Sequence, residues 1–310
     1  KVHAAHVNPM RKRSPVKVVA IFYSLAWLTL IAYYFPYRTD PPETIHFQPA
    51  PEQQSFYNSG FESTDSVYAR VAREAAKKAH VREAVEEFVT GNNLAKARVL
   101  EVGSGEGLLQ DVVEDYTGLD ISATAKAKYH KPFVQADARA MPFPDNSFDA
   151  AWSIWVLEHV PNPEQALREI RRVLRPDGLL FLSPAWMCSP LAANGYHVRP
   201  YSDFGFSGKV VKLSIPIQTS PLFLASYLIP SRLMRGTAAW LGQGPTRFHY
   251  RGIEPNYEHY WEPDSDAVNS MDPYEAYLWF QTRGDKCMNC PDGIGFDHAE
   301  QLFFAALAAR

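Results

Sequence analysis

From Ala97 to Trp186 the chain alternates short apolar runs with glycine-bearing turns and amphipathic stretches, a pattern that predicts parallel strands joined by helical crossovers. ARVLEV (97–102) reads as a first strand, YTGLDI (116–121) as a second, PFVQAD (132–137) as a third, FDAAWSIW (148–155) as a fourth and GLLFLSP (178–184) as a fifth. After the first strand come the turn GSGEG (103–107) and the apolar positions Leu108, Leu109, Val112 and Val113, which predict a helix. A second helix is marked between the fourth and fifth strands. Asn162 can cap it, Pro163 suits its first position, Gln165 can reach back, and Leu167, Ile170, Val173 and Leu174 form one stripe. The Arg-Pro-Asp-Gly run at 175–178 then stops it.

The flanks have different patterns. Ser66 to Thr90 places Val67, Val71, Val81, Val85 and Phe88 among charges and alanines and ends at Gly91, as an amphipathic helix does. Residues 36–60 carry Pro36, Pro41, Pro42, Pro49 and Pro51 and read as an extended spacer. Before it, Val18 to Phe35 contains eighteen consecutive residues without a formal charge, with Trp27, Tyr33 and Tyr34 as interfacial aromatics. This predicts a transmembrane helix acting as a single-pass N-terminal anchor, in preference to a cleaved signal peptide. Arg11, Lys12, Arg13 and Lys17 precede it and only Arg38 closely follows, which places the N-terminus on the cytoplasmic side. Met10, directly before Arg-Lys-Arg, is a candidate native start.

After Trp186 the chain is rich in Pro, Gly and aromatics, with a helix-like piece from Pro221 to Ile229, and reads as an accessory lid. Tyr277 to Thr282 predicts a late strand, with Glu300 to Ala309 as an antiparallel partner at the sheet edge. The organisation expected is a tail and anchor (1–35), a Pro-rich linker (36–60), a core (61–186), a lid and acceptor region (187–275) and C-terminal strands that complete the sheet (276–310).

Composition changes this picture little. The chain has 310 residues, 46% of them hydrophobic, enough to bury a core, and a net charge of -3 gives no field that would draw a nucleic acid. Three cysteines, Cys188, Cys287 and Cys290, do not suggest a disulfide framework. Cys287, Cys290 and His298 offer three zinc ligands where a closed site needs four, so no metal is assigned.

The chemistry lies at the strand ends. Gly103, Gly105 and Gly107 directly after a strand let the backbone approach a nucleotide-like ligand, since no Cβ intervenes. The dinucleotide fingerprint G-x-G-x-x-G needs a glycine at 108, where this chain has Leu108, and that disfavours hydride transfer. Glu101 before the turn suits a ligand carrying a cationic amine. Asp120 closes the second strand, where a carboxylate can accept from both ribose hydroxyls, and Asp137 follows the third, placed to accept from an adenine amine.

Taken together, VLEVGSGEG, GLDIS, VQADARAMPFPDNSFD, LEHV and REIRRVLRPDG resemble the class I S-adenosylmethionine-dependent methyltransferases of the type 11 group, over about 90 residues. The resemblance implies an α/β, Rossmann-like sheet of seven strands with S-adenosylmethionine as cofactor. It implies Gly103, Ser104 and Gly105 beside the donor's methionine part, Asp120 and Ile121 at the ribose, and Asp137 with Ala138 beside the adenine. Glu101 matches the acidic position that orients the loop. Asp177, where many relatives carry glycine, departs from the pattern at a turn.

A donor made in the cytosol conflicts with the orientation that the flanking charges indicate. His159, in LEHV, is a candidate general base or a structural histidine. The aromatics between Arg247 and Arg283 could shape a pocket for a small-molecule or lipid-like acceptor, or simply pack the lid. The alternative to an enzyme is a non-catalytic, donor-binding scaffold of the same fold.

Overall fold

A computed structural model describes residues 15–34, 38–39, 50–242, 244–290 and 302–305. In chain order its elements are α1 (Pro15–Tyr34), β1 (Arg38–Thr39), α2 (Pro51–Glu62), α3 (Val67–Lys78), α4 (Val81–Gly91), β2 (Arg98–Val102), β3 (Asp115–Asp120), β4 (Phe133–Gln135), β5 (Phe148–Ile154), α5 (Pro163–Val173), β6 (Leu174–Ser183), α6 (Phe206–Gln218), α7 (Pro221–Leu241), β7 (His249–Gly252), β8 (Asn269–Met271), α8 (Pro273–Gln281), β9 (Lys286–Cys287) and β10 (Leu302–Ala305). Short 3-10 turns, Leu157–His159 among them, join several of these.

Five strands run parallel in the order β4-β3-β2-β5-β6. Leu100 faces Thr117 on one side and Ala151 on the other, and Ala151 faces Leu180. Both faces of this sheet are covered, which is why Val99, Leu100, Ala150, Ala151 and Trp152 are all buried with no alternation of polar residues. One face packs on Val85, Phe88 and Val89 of α4, the other on Leu167, Ile170 and Val173 of α5 with Trp279 and Phe280 of α8. Along the edge of β6 lie β10 and then β9, both antiparallel. A separate antiparallel sheet joins β1, β7 and β8.

Strand order reverses direction between β2 and β5, so a crevice opens beyond their carboxyl ends, the position where open α/β sheets bind ligands.

Several expectations are corrected. The span 103–114 contains no regular helix. It is a chain of i to i+3 turns, Gly107 N to Ser104 O, Gln110 N to Gly107 O and Val112 N to Leu109 O, closed by side chains such as Gln110, which serves His130 N and Lys128 O. The single helix expected over 66–90 is two, broken where His80 takes a left-handed φ of 52°. Part of the Pro-rich spacer is the helix α2, because Pro51 occupies the first turn, where its missing N–H is no loss.

Tyr277 to Thr282 is helical through Gln281, not a strand. Asp272 caps α8 by accepting from Tyr274 N, and Pro273 starts it. The stripe expected to end at Leu174 passes directly into β6, with a register shift opposite Phe148 and Ala150 and Asp177 at φ 60°. The helix expected to stop ahead of Pro230 runs through it to Leu241, and α6, with Pro216 inside, had no counterpart in the sequence reading.

The segment expected to cross a membrane lies in α1 as far as Tyr34, with Phe35 outside the described residues, and no helix among those described is long and apolar enough to cross. Instead α1 packs sideways, with Trp27, Leu30 and Ile31 against Phe223, Tyr227 and Leu228 of α7. Cys287 and Cys290 are joined in a disulfide, which takes both thiolates away from metal ligation, and His298 lies outside the described residues.

Candidate active site

The turn after β2 is built by backbone. Gly103 N and Ser104 N both donate to Leu119 O, at 2.7 and 3.0 Å, which ties the loop to the end of β3. Gly103 has a φ of 71°, and a Cβ there would lie 2.2 Å from a Val156 methyl. No other residue fits between the β2 and β5 ends. Asp120 locks the next step, its carboxylate accepting from Gly105 N at 2.9 Å and from Ser122 N at 2.8 Å. Burial raises the pKa of Asp120 and these two amides oppose the rise.

Glu101 lies under the turn, buried, with Tyr116 Oη donating to it. Burial pushes its carboxyl up to about 7, against the pull of that hydroxyl. Beside it the hydroxyl of Ser104 is buried and has no hydrogen-bond partner.

Asp137 is not a bare carboxylate. Its Oδ1 accepts from Arg139 N and Nε at 2.8 and 2.9 Å, and its Oδ2 from Arg139 Nη2 at 2.7 Å, so its charge is already matched.

Two cavities meet at this turn. A small one of about 90 Å³ is lined by Gly103, Asp120, Ile121, Asp137, Ala138 and His159. A larger one of about 650 Å³ is lined by Glu101, Gly103, Ser104, Gly105 and, again, His159. Every residue expected to hold a donor except Gly107 therefore borders one cleft. Gly107 serves the turn behind it, against Tyr129.

His159 sits where the cavities join. Its Nδ1 is 3.3 Å from Asp266 Oδ2 and its Nε2 is 3.8 Å from Glu158 Oε1. Burial disfavours its charge, but Asp266, Glu158 and Asp264 outweigh burial and raise its pKa. Glu158, with neither carboxylate oxygen completing a hydrogen bond, is pushed by burial up to about 7. Tyr57 Oη donates to Asp266 Oδ2 at 2.8 Å and Gln53 to the His159 carbonyl, so α2 is fastened across the cleft.

Sequence reasoning missed these covering residues. Gln53, Tyr57 and Phe61 fell in or beside the supposed spacer, Tyr68 in a helix, and Asp264 and Asp266 in the lid. Trp155 was also missed as a site residue. It follows β5 at a φ of 54°, a strained value for a bulky residue, and it borders the two cavities above and a further one behind them. Of the late aromatics, Phe248, Tyr250, Trp279 and Phe280 are core and line none of these cavities, whereas Tyr260 borders the larger cavity at the turn. The third cavity, about 820 Å³, is walled by residues 183–191 after β6 and by the inner faces of α6 and α7.

Residues 100–182 match the family described as a methyltransferase domain. Over 179 residues, 54% of this chain and 70% of the relative, it is 30% identical to the ubiquinone/menaquinone biosynthesis C-methyltransferase UbiE of Pseudomonas fluorescens. The chain belongs to the class I S-adenosylmethionine-dependent methyltransferases, in the type 11 group. The protein of the same description from Hahella chejuensis is 45% identical over 80 residues, 26% of this chain and 32% of that protein. The first curated relatives are matched over 32% to 49% of their own length. Among solved structures, the YcgJ protein of Bacillus subtilis is 30% identical, covering 30% of this chain and 45% of that chain with a TM-score of 0.28.

The residues of this methyltransferase suit the family's cofactor, S-adenosylmethionine. Gly103 and Gly105 bring the backbone to the edge of the cleft, Ser104 offers an unpartnered buried hydroxyl, and Glu101 lies where a cationic amine would lower its pKa.

Proposed function

We propose that this methyltransferase moves the methyl group of S-adenosylmethionine onto a small apolar, lipid-like acceptor seated in the 820 Å³ cavity. Trp155, Ala185 and Val81 carry the reading, since they border both that cavity and the donor cleft and so leave one wall between the two ligands. The curated relatives named for ubiquinone and menaquinone biosynthesis support the same acceptor class.

When bound, the donor supplies a methyl group on a sulfonium, so the C–S bond breaks as the acceptor's new bond forms, a neutral thioether leaves and the acceptor loses one proton. Positioning and exclusion of water carry most of the catalysis in such an in-line displacement. The turn at 103–105 and Asp120 hold the donor at the ends of β2 and β3, with Ile121, Ala138 and Asp137 around its adenosyl part. Tyr57 and Phe61 of α2 shut out solvent. At about 90 Å³ the adenosyl side taken alone is smaller than an ordinary ligand pocket. His159 lines the two donor-side cavities and not the 820 Å³ one, so it takes the proton only from a part of the acceptor that passes Trp155 into the cleft, where Asp266, Glu158 and Asp264 stabilise the imidazolium that results.

The test is transfer of labelled methyl to a panel of apolar phenols, quinols and lipids, alongside calorimetric donor binding. His159→Ala is expected to lower kcat by about 10²- to 10⁴-fold with donor affinity unchanged. Asp120→Ala is expected to abolish micromolar donor binding. A full-rate His159→Ala protein removes the base assignment, and an Asp120→Ala protein that still binds normally removes the site.

A further inference from the structure

The outer face of the α6–α7 pair is unlike the rest of the surface. Phe206, Val210, Leu213 and Ile217 fall at helical spacing on α6 and all face water, Phe206 being 86% and Leu213 69% exposed. On α7, Leu222, Leu233, Met234, Trp240 and Leu241 are exposed, Trp240 to 84%. Alongside, α1 packs on α7 through Trp27 and adds exposed Ile21, Leu25 and Leu28. Single exposed apolar side chains are ordinary, but a contiguous set across neighbouring helices marks a contact surface.

Charge is missing from the same face. Residues 206–242 include no Asp or Glu, in a chain with 34 of them. Lys209 is the one exposed charged residue in that span. Lys212 turns back to the Tyr196 carbonyl. Both arginines of α7 point inward, Arg232 to Asp272 at 2.7 Å and Arg235 to Glu275 at 2.8 Å. The exposed polar side chains left beside Lys209 are small, Ser207, Thr219 and Thr237, and the last two donate to carbonyls of their own helix.

We propose that this face docks on the hydrocarbon boundary of a phospholipid bilayer, with α6 and α7 lying flat. A protein partner would require a rim of matched polar groups. This face offers only Lys209, whose sign suits lipid phosphates, and an indole at the end of α7 that suits the interface. The inner faces of the same helices, through Ile215, Leu224, Tyr227 and Leu228, wall the 820 Å³ cavity. A membrane-dissolved acceptor then reaches its seat from between the helices, and this last step alone rests on the acceptor reading above.

The experiment is co-flotation of the full chain with phosphatidylcholine vesicles, with and without added phosphatidylglycerol, in the absence of donor and acceptor. Binding to both is expected. The double variant Leu213→Glu/Trp240→Glu is expected to partition at least about tenfold more weakly, with melting temperature and donor binding unchanged. Brominated acyl chains are expected to quench the wild type and to lose that share of quenching in Trp240→Phe. Equal partition of the double variant and the wild type overturns the proposal. So does a wild type that stays free of vesicles, and so does a dimer in sedimentation that the double variant breaks. Because no methyl acceptor takes part, loss of the acceptor reading leaves this result readable.

Discussion

The glycine turn after β2 and the α7–α8 side of this methyltransferase are held by different kinds of contact. At the turn the bonds are short in sequence and donated by backbone amides, Gly103 and Ser104 to the Leu119 carbonyl and Gly105 to the Asp120 carboxylate fifteen residues on. The α7–α8 side is tied by side chains distant along the chain. Arg232 and Arg235 each reach a carboxylate 40 residues away, and buried Glu164 accepts from Arg247, Phe248 N and Trp279 Nε1 at separations of 83 to 115 residues. A turn fixed by local backbone needs particular residue types at particular spacings. A cap fixed by long-range ion pairs needs only that complementary groups meet, so it leaves little trace in any window of sequence.

The largest test of that contrast is Arg232→Ala. It leaves Asp272 buried and unpaired, and a loss of about 3–5 kcal/mol is expected in denaturant unfolding. A loss below about 1 kcal/mol would mean that the cap does not depend on the pair.

Gly103→Ala probes the other side. The added Cβ meets Val156 at 2.2 Å and takes a left-handed φ, so about 2–4 kcal/mol and most of the donor affinity are expected to go. Val156→Ala in the same chain is expected to recover part of the stability, and no recovery would place the cost elsewhere.

A third effect follows from the buried carboxyls. Glu101 and Glu158 titrate near 7 when folded, whereas unfolded glutamates release their protons near pH 4–5. The folded state therefore binds more protons in between. Its stability from these groups is full below the unfolded pKa and is lost as pH rises through about 7, by up to roughly 3 kcal/mol per group. Melting curves from pH 5 to 8 should show the decline, and Glu158→Gln should flatten its share. Donor binding that places a cation by Glu101 should release a proton near neutral pH, measurable as buffer-dependent heat.

The smallest expected effect is the sharpest for the comparison. Leu213→Ser is expected to change stability in water by less than about 0.5 kcal/mol, because the side chain is already 69% exposed. A larger loss would show that α6 packs on something in solution.

These contrasts also mark what was legible beforehand. All five parallel strands were readable from apolar runs and turns, and the cleft from Gly103, Gly105, Asp120 and Asp137. The cover over the cleft was not. Prolines at 49 and 51 signalled a spacer, yet Pro51 opens a helix, and Tyr57 became a cleft residue only because Asp266 waits 209 positions later. YLWFQT has strand composition in isolation, but Asp272 and Pro273 just before it provide a helix start, and α8 then buries Trp279 and Phe280 on the sheet.

The chain by itself determined the parallel core and the glycine turn, because continuous apolar runs, glycine dihedrals and carboxylates at strand ends are local requirements that no distant contact can relax. Tertiary structure alone decided which aromatics pack and which line a cavity, which of the late segments are helices, and where the apolar surface is left uncovered. Those outcomes depend on which groups meet across a hundred residues or more, and the free energy of such meetings is set by burial and pairing in the assembled fold.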